Sequence, residues 1–198
     1  MMLIEQTTVP ATALPVQEFK DHLRLGTGFA DLGAQDAALE SYLRAAIAAI
    51  EGRIGKALIS RDYLWTVTHW RGDDEQALPV APVAAILSLT VLDRDNIGAA
   101  IDPTRYRLVQ DTHRPKLVAA GSSLPAIPTG GLAEIVFIAG FGPGWADVPV
   151  DLRQAVLLLA AQYYEMRHES AGAEAIPFGV MALIERWRTV RVLGGGAA

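Results

Sequence analysis

The sequence predicts an α+β fold: helices packed beside a small antiparallel β-sheet, with a helical segment near the C-terminus. Three observations predict it. Apolar residues recur at helical spacing as far as about residue 56. They then alternate in short runs separated by turn residues as far as about residue 139, and helical spacing returns from about residue 149. Strands grouped in one run between helices point to α+β rather than to a parallel α/β sheet. The length of 198 residues suits one domain with arms. The expected division is an extended N-terminal arm over 1–15, a single α+β domain over 16–170, and a linker, C-terminal helix and glycine-rich tail over 171–198.

In the arm, Pro10 and Pro15 interrupt any helix, and Thr7, Thr8 and Val9 favour extended backbone. A short helix over about 16–25 follows from Val16, Phe19 and Leu23 at helical spacing, with Pro15 at its start and Gly26 and Gly28 beyond its end. A longer helix over about 36–56 has Asp36 as its expected N-cap and one apolar face of Leu39, Leu43, Ile47, Ile50 and Ile54. Ala45, Ala46, Ala48 and Ala49 make its second face small, which lets another helix or subunit approach closely.

The period then changes to two. Tyr63, Trp65, Val67 and His69 alternate with Leu64, Thr66, Thr68 and Trp70, a strand with apolar groups on both faces. Residues 71–74 read as a turn, and 78–82 as an extended segment limited by Pro79 and Pro82. Further strands are expected over 86–92, 106–109, 116–119 and 133–139, with a turn at Asp93-Arg94-Asp95-Asn96. The third helix, about 149–168, is apolar on two sides: Leu152, Val156, Leu159, Tyr163 and Met166 on one, Leu157, Leu158, Ala161 and Tyr164 on the other. Such a helix must be covered twice, by the sheet and by something else. A last helix over about 180–190 follows a small-residue linker around Gly172.

Composition excludes several classes of function. Acidic residues outnumber basic ones, for a net charge of −5, whereas an electrostatic nucleic-acid binder carries a basic excess. With no cysteine there is no disulfide scaffold, thiolate metal site or cysteine nucleophile. The N-terminus lacks the basic region of a signal peptide, and the apolar run 155–161 is far short of a membrane span.

No catalytic, cofactor or metal residues are assigned. His22, His69, His113 and His168 are scattered, without the convergence that zinc needs. Asp93-Arg94-Asp95-Asn96 opens like a calcium loop but lacks its later glycine and glutamate, so it reads as a turn. Gly140-Phe141-Gly142-Pro143-Gly144 is glycine-rich, but Pro143 removes a backbone donor and no Gly-Lys-Ser/Thr follows. Its flanking Phe141 and Trp145 suit a packed structural turn. Asp151, in a first helical turn, is favoured there by the helix dipole without any catalytic role.

The order of segments carries more information. The relevant blocks are 16–24 (Val-Gln-Glu-Phe-Lys-Asp-His-Leu-Arg), Leu39-Glu40-Ser41-Tyr42-Leu43 running to 54–59, the strand 63–67, Leu78-Pro79-Val80-Ala81-Pro82-Val83, Tyr106-Arg107-Leu108, 135–142, and 148–155 continuing to 163–167. In this order the chain resembles the head–tail connector, or adaptor, proteins of long-tailed bacteriophages and gene transfer agents, from about Val16 to Leu183. The resemblance implies a structural protein that forms a cyclic, commonly dodecameric ring under the portal of a virion or phage-like particle. It implies portal protein and a downstream tail or stopper protein as partners, DNA passing through without sequence-specific binding, no cofactor, no membrane, and synthesis in the bacterial cytoplasm. The alternative is a small-ligand-binding or enzymatic α+β domain of unknown substrate.

A ring needs two different adhesive faces on each subunit. The two-sided third helix supplies the expected subunit interface: Leu152, Val156, Leu157, Leu158, Ala161 and Tyr164. The C-terminal segment supplies the expected portal-binding set. Phe178, Met181, Ile184 and Trp187 recur every three residues and are expected on one helix face, with Arg186, Arg188 and Arg191 to meet acidic portal groups.

Overall fold

The computed structural model describes residues 1–25, 33–166 and 176–188. The expected linker around Gly172, the glycine-rich tail, His168 and Arg191 lie outside the described residues. Four helices are described: α1 (Val16–His22), α2 (Gly33–Ile54), α3 (Val150–Glu165) and α4 (Phe178–Ile184), the last continued by a 3-10 turn over Glu185–Trp187. The strands are β1 (Met2–Glu5), β2 (Arg61–Val67), β3 (Glu75–Ala77), β4 (Val83–Leu92), β5 (Gly98–Ala100), β6 (Tyr106–Val109), β7 (Lys116–Ala119) and β8 (Leu132–Ala139). The fold is α+β with antiparallel pairing, as the change of period predicts.

Among the described residues the strands form two sheets rather than one. Five strands run in the order β1-β2-β8-β4-β5, and three in the order β3-β7-β6. Alternation in β2 and β8 puts Tyr63, Trp65, Val67, Ile135 and Phe137 inward, where they share a core with Leu78, Tyr106, Leu117 and Leu124. Tyr63 stacks on Phe137 with ring centroids 5.7 Å apart.

The helices have a second core of their own. The stripe Leu39, Leu43, Ile47, Ile50 and Ile54 of α2 meets Leu152, Val156 and Leu159 of α3, with Phe19 of α1 and Val180 and Ile184 of α4. Both sides of α3 are thus covered by helices, which corrects the expectation that the sheet covers one of them. The gap between Ile54 and β2 is filled by Leu58 and Ile59, which belong to the helical core although they lead into the sheet.

Asp36 does not cap α2. The helix starts at Gly33, and Asp36 sits in its first turn, paired with Lys20 of α1. The N-terminal fifteen residues, expected as an extended arm, are joined to the body, and Ala11–Ala13 form a 3-10 turn between the extended stretches. Met2–Glu5 pair with Tyr63–Thr66, and Val9 and Leu14 are buried in the helical core. β1 is an edge strand, and Met2, Leu3 and Ile4 are 55%, 40% and 40% exposed, Met2 and Ile4 on one face of the sheet and Leu3 on the other, so apolar side chains are exposed at this rim. At the far edge, the turn after β4 closes as an Asx turn. Asp93 Oδ1 accepts from Asp95 and Ile97 N–H, and Asn96 takes a left-handed φ of 61°.

Candidate docking surface and the joint behind it

The apolar helix α3 does not face outward along its length. Leu152, Val156 and Leu157 are buried inside this chain's own helical core, while Leu158, Ala161 and Tyr164 are half-buried. Area already buried within one chain is not available to a second subunit, so the face that α3 can offer narrows to Leu158, Ala161 and Tyr164. Tyr164 meets Tyr42 of α2 edge-on at 5.9 Å. On α2, Ala46 is buried and Ala49 half-buried, whereas Ala45 and Ala48 are exposed.

The C-terminal segment folds back along α3. Two groups converge on one oxygen of Asp151: Trp187 Nε1–H donates to Oδ2 at 2.7 Å, and Arg186 Nε forms an ion pair with the same atom at 2.7 Å. Trp187 packs edge-on against Phe141 at 5.3 Å, and the Arg186 guanidinium lies 4.8 Å from the Trp187 ring centre. Arg188 pairs with Glu185 at 3.0 Å. The four expected anchors do not share one face. A step of three residues turns an α-helix by about 300°, so Phe178 and Trp187 diverge by half a turn. Phe178 is 89% exposed, Met181 and Trp187 are half-buried, and Ile184 is fully buried. Only Phe178 stands free as an apolar anchor.

Asp151→Ala removes both the hydrogen bond and the ion pair of this latch. The expected result is a loss of about 1–3 kcal/mol, with amide exchange rising first over 178–187, read by hydrogen–deuterium exchange. Unchanged protection there would show that Val180 and Ile184 hold the segment without Asp151.

The two cores meet at a buried charge cluster. Arg61 is 5% exposed. It donates to Glu51 Oε2 at 2.7 Å and to the Tyr63 hydroxyl at 2.7 Å, and it lies 3.2 Å from Glu5 of β1. Glu51 also accepts from Leu58 N–H at 2.7 Å. Burial pushes the Glu51 carboxyl above its ordinary range, although Arg61 and the Leu58 N–H pull it down. Burial works against the Arg61 charge, but Glu51 and Tyr63 outweigh it and hold the guanidinium protonated. One side chain thus joins α2, β2 and β1. Arg61 was legible as an inward position, because 61, 63, 65 and 67 share the buried register of β2. The glycine-rich turn Gly140–Gly144 closes the same joint: Ser60 N–H donates to Gly142 O, and Phe141 N–H to Leu58 O.

Among the described residues, no three His, Cys, Asp or Glu side chains gather as a metal site, and no helix is long and apolar enough to cross a membrane. The described residues thus present a latched terminal segment, an exposed Phe178 and an α2 face of small residues. The family model for the phage gp6-like head–tail connector protein matches residues 14–112. The chain is also similar to solved structures over nearly its whole length. A chain in the neck of an empty gene transfer agent particle, computed with C6 symmetry, is 64% identical over 98% of this chain and 99% of that one, with a TM-score of 0.89. A chain in the virion of a native gene transfer agent particle is 65% identical over 98% and 99%, TM-score 0.87. A chain in the native neck computed with C12 symmetry is 59% identical over 98% and 99%, TM-score 0.85. No curated protein matches the chain. The chain belongs to the phage gp6-like head–tail connector family.

Proposed function

We propose that this chain is the head–tail connector of a gene transfer agent or related phage-like particle, where it forms a cyclic ring at the neck around the DNA channel. The observation that carries this reading is the near-complete match, at 59% identity or more, to chains in gene transfer agent necks described with C6 and C12 symmetry. A dodecameric ring suits both symmetries. The role is structural and not enzymatic. Synthesis takes place in the bacterial cytoplasm, and the ring then joins portal protein on one side and a tail or stopper protein on the other. A net charge of −5 suits a conduit that lets DNA pass without holding it.

In this reading residues 16–170 form the ring-building body, 1–15 strap it, and 176–188 face the portal. Leu158, Ala161 and Tyr164 contribute to the subunit interface, and Phe178 with Arg186 and Arg188 meets the portal. The test is mass photometry and negative-stain microscopy of the purified chain with and without its portal. Leu158→Asp is expected to reduce ring formation at unchanged circular dichroism. Phe178→Ala is expected to weaken portal capture by about tenfold, the scale of one apolar anchor. Full assembly by the first variant or full capture by the second removes that residue from the mechanism. A wild-type chain that stays monomeric on its portal removes the ring.

A further inference from the structure

A cavity of 570 Å³ opens where the C-terminal end of α2, β2 and the segments 76–81 and 113–114 come together. Arg53, Arg71, Arg114, Arg188 and His113 line it, and among the described residues no Asp or Glu does. In a chain of net charge −5, this is a concentration of positive charge with no internal counter-charge among its lining. Arg188 is held by Glu185. The guanidinium groups of Arg53, Arg71 and Arg114 make no hydrogen bond or ion pair within the described residues.

The backbone under these arginines is fixed. Asp111 Oδ1 accepts from the N–H groups of His113 and Arg114 at 2.6 and 2.7 Å, and those bonds hold its carboxyl below the usual range. The buried Lys56 donates to Thr112 O at 2.6 Å and ties the same turn to the end of α2. Arg71 N–H donates to Oε1 of Gln76, itself only 3% exposed. Trp65 also lines the cavity. It is 2% exposed, and its indole N–H has no partner among the described residues. Buried donors are ordinarily satisfied, so an orphaned one beside unpaired guanidinium groups marks a place where acceptors are missing.

We propose that this cavity receives an acidic segment of another polypeptide, a loop or tail presenting two or three carboxylates. Guanidinium groups pair carboxylates in bidentate fashion. The volume is that of a site for a few side chains. Leu78 and Val80 in the lining suit the aliphatic stems of such a segment. A DNA duplex presents its phosphates on a convex rod, which meets an open basic ridge better than a recess with an apolar part. Arg188, placed at the portal in the reading above, also lines this cavity, but the test below uses neither ring nor portal.

The experiment is calorimetric titration of the purified full chain with a hexaglutamate peptide, a short DNA duplex and inorganic phosphate, each at physiological salt. Hexaglutamate is expected to bind, and R53Q/R71Q/R114Q to weaken it by about tenfold or more, since three charged contacts of even modest strength sum to that. The charge-matched variant R94Q/R105Q/R107Q, on exposed arginines elsewhere, is expected to change affinity less than about twofold by the same reckoning. No binding of hexaglutamate overturns the proposal, and so does an equal loss in the two triple variants. Tighter binding of the duplex reassigns the cavity to nucleic acid, and displacement of the peptide by equimolar phosphate reassigns it to small anions; either result overturns it. The wild-type arms need no substitution and decide the matter if a triple variant fails to fold.

Discussion

Arg61→Ala is expected to lower the unfolding free energy by about 3–5 kcal/mol, measured by urea denaturation, because removing one partner of a buried pair leaves the other charge without compensation. The stranded group is Glu51, whose side chain is 14% exposed. Its sign of pH dependence follows from burial. Desolvation raises the Glu51 carboxyl above its unfolded value. A carboxyl raised in the folded state carries an unfavourable contribution in full at neutral pH, and that contribution is relieved as pH falls through the folded value. In Arg61→Ala the hydrogen bond and charge that pull Glu51 down are gone, so its folded value climbs further. The deficit relative to wild type is therefore larger at about pH 7.5 than at about pH 5.5. An equal deficit at both would show that Glu51 is not the stranded group. Glu5 and Tyr63 also lose their partner, so β1 is expected to loosen from β2 in the same variant.

Gly140→Ala is the second large effect. Gly140 has φ of +143°, and a Cβ added there would lie 2.4 Å from the backbone N and Cα of Ser60. The strained dihedral costs roughly 1–3 kcal/mol and the clash roughly as much again, for an expected loss of about 2–6 kcal/mol. The clash falls on the joint, where the 58–60 segment and the 140–142 turn exchange backbone hydrogen bonds. Gly52→Ala is the control. Its Cβ meets nothing within 4 Å in a helical position, so it is expected to stabilise by about 0.5–1 kcal/mol. Thermal melts of the two variants should move in opposite directions. A Gly140→Ala protein as stable as wild type would mean that the turn and Ser60 can separate without cost.

Much of this molecule can be read from its residue pattern, and the rest for a definable reason cannot. The helices at 16–22, 33–54 and 150–165 and the strands at 61–67, 83–92, 106–109, 116–119 and 132–139 follow local periodicity, which is a property of neighbours in sequence. The strands at 2–5, 75–77 and 98–100 do not: the first is an edge whose partner, β2, lies far along the chain, and the other two are only three residues long. What covers α3 is also non-local. Two apolar sides state that two surfaces are needed, not whether sheet, helix or another subunit supplies them. The C-terminal segment misled through a step of three, which drifts round a helix, whereas steps mixing three and four stay on one side, as they do in α2. The cationic cavity draws its arginines from residues 53, 71, 114 and 188, four stretches that no linear spacing connects.

The edge strand Met2–Glu5 bears on the life of the subunit before it reaches a particle. An open strand edge carrying Met2, Leu3 and Ile4 is a template on which further extended chain can be laid down. The one charge in that strand, Glu5, is turned toward Arg61 and does little to repel a newcomer. Free subunits held at high concentration are therefore prone to stack through this rim. Their shelf life is expected to be set by how quickly they find neighbours, and a lysine at Leu3 would be the gatekeeper that lengthens it.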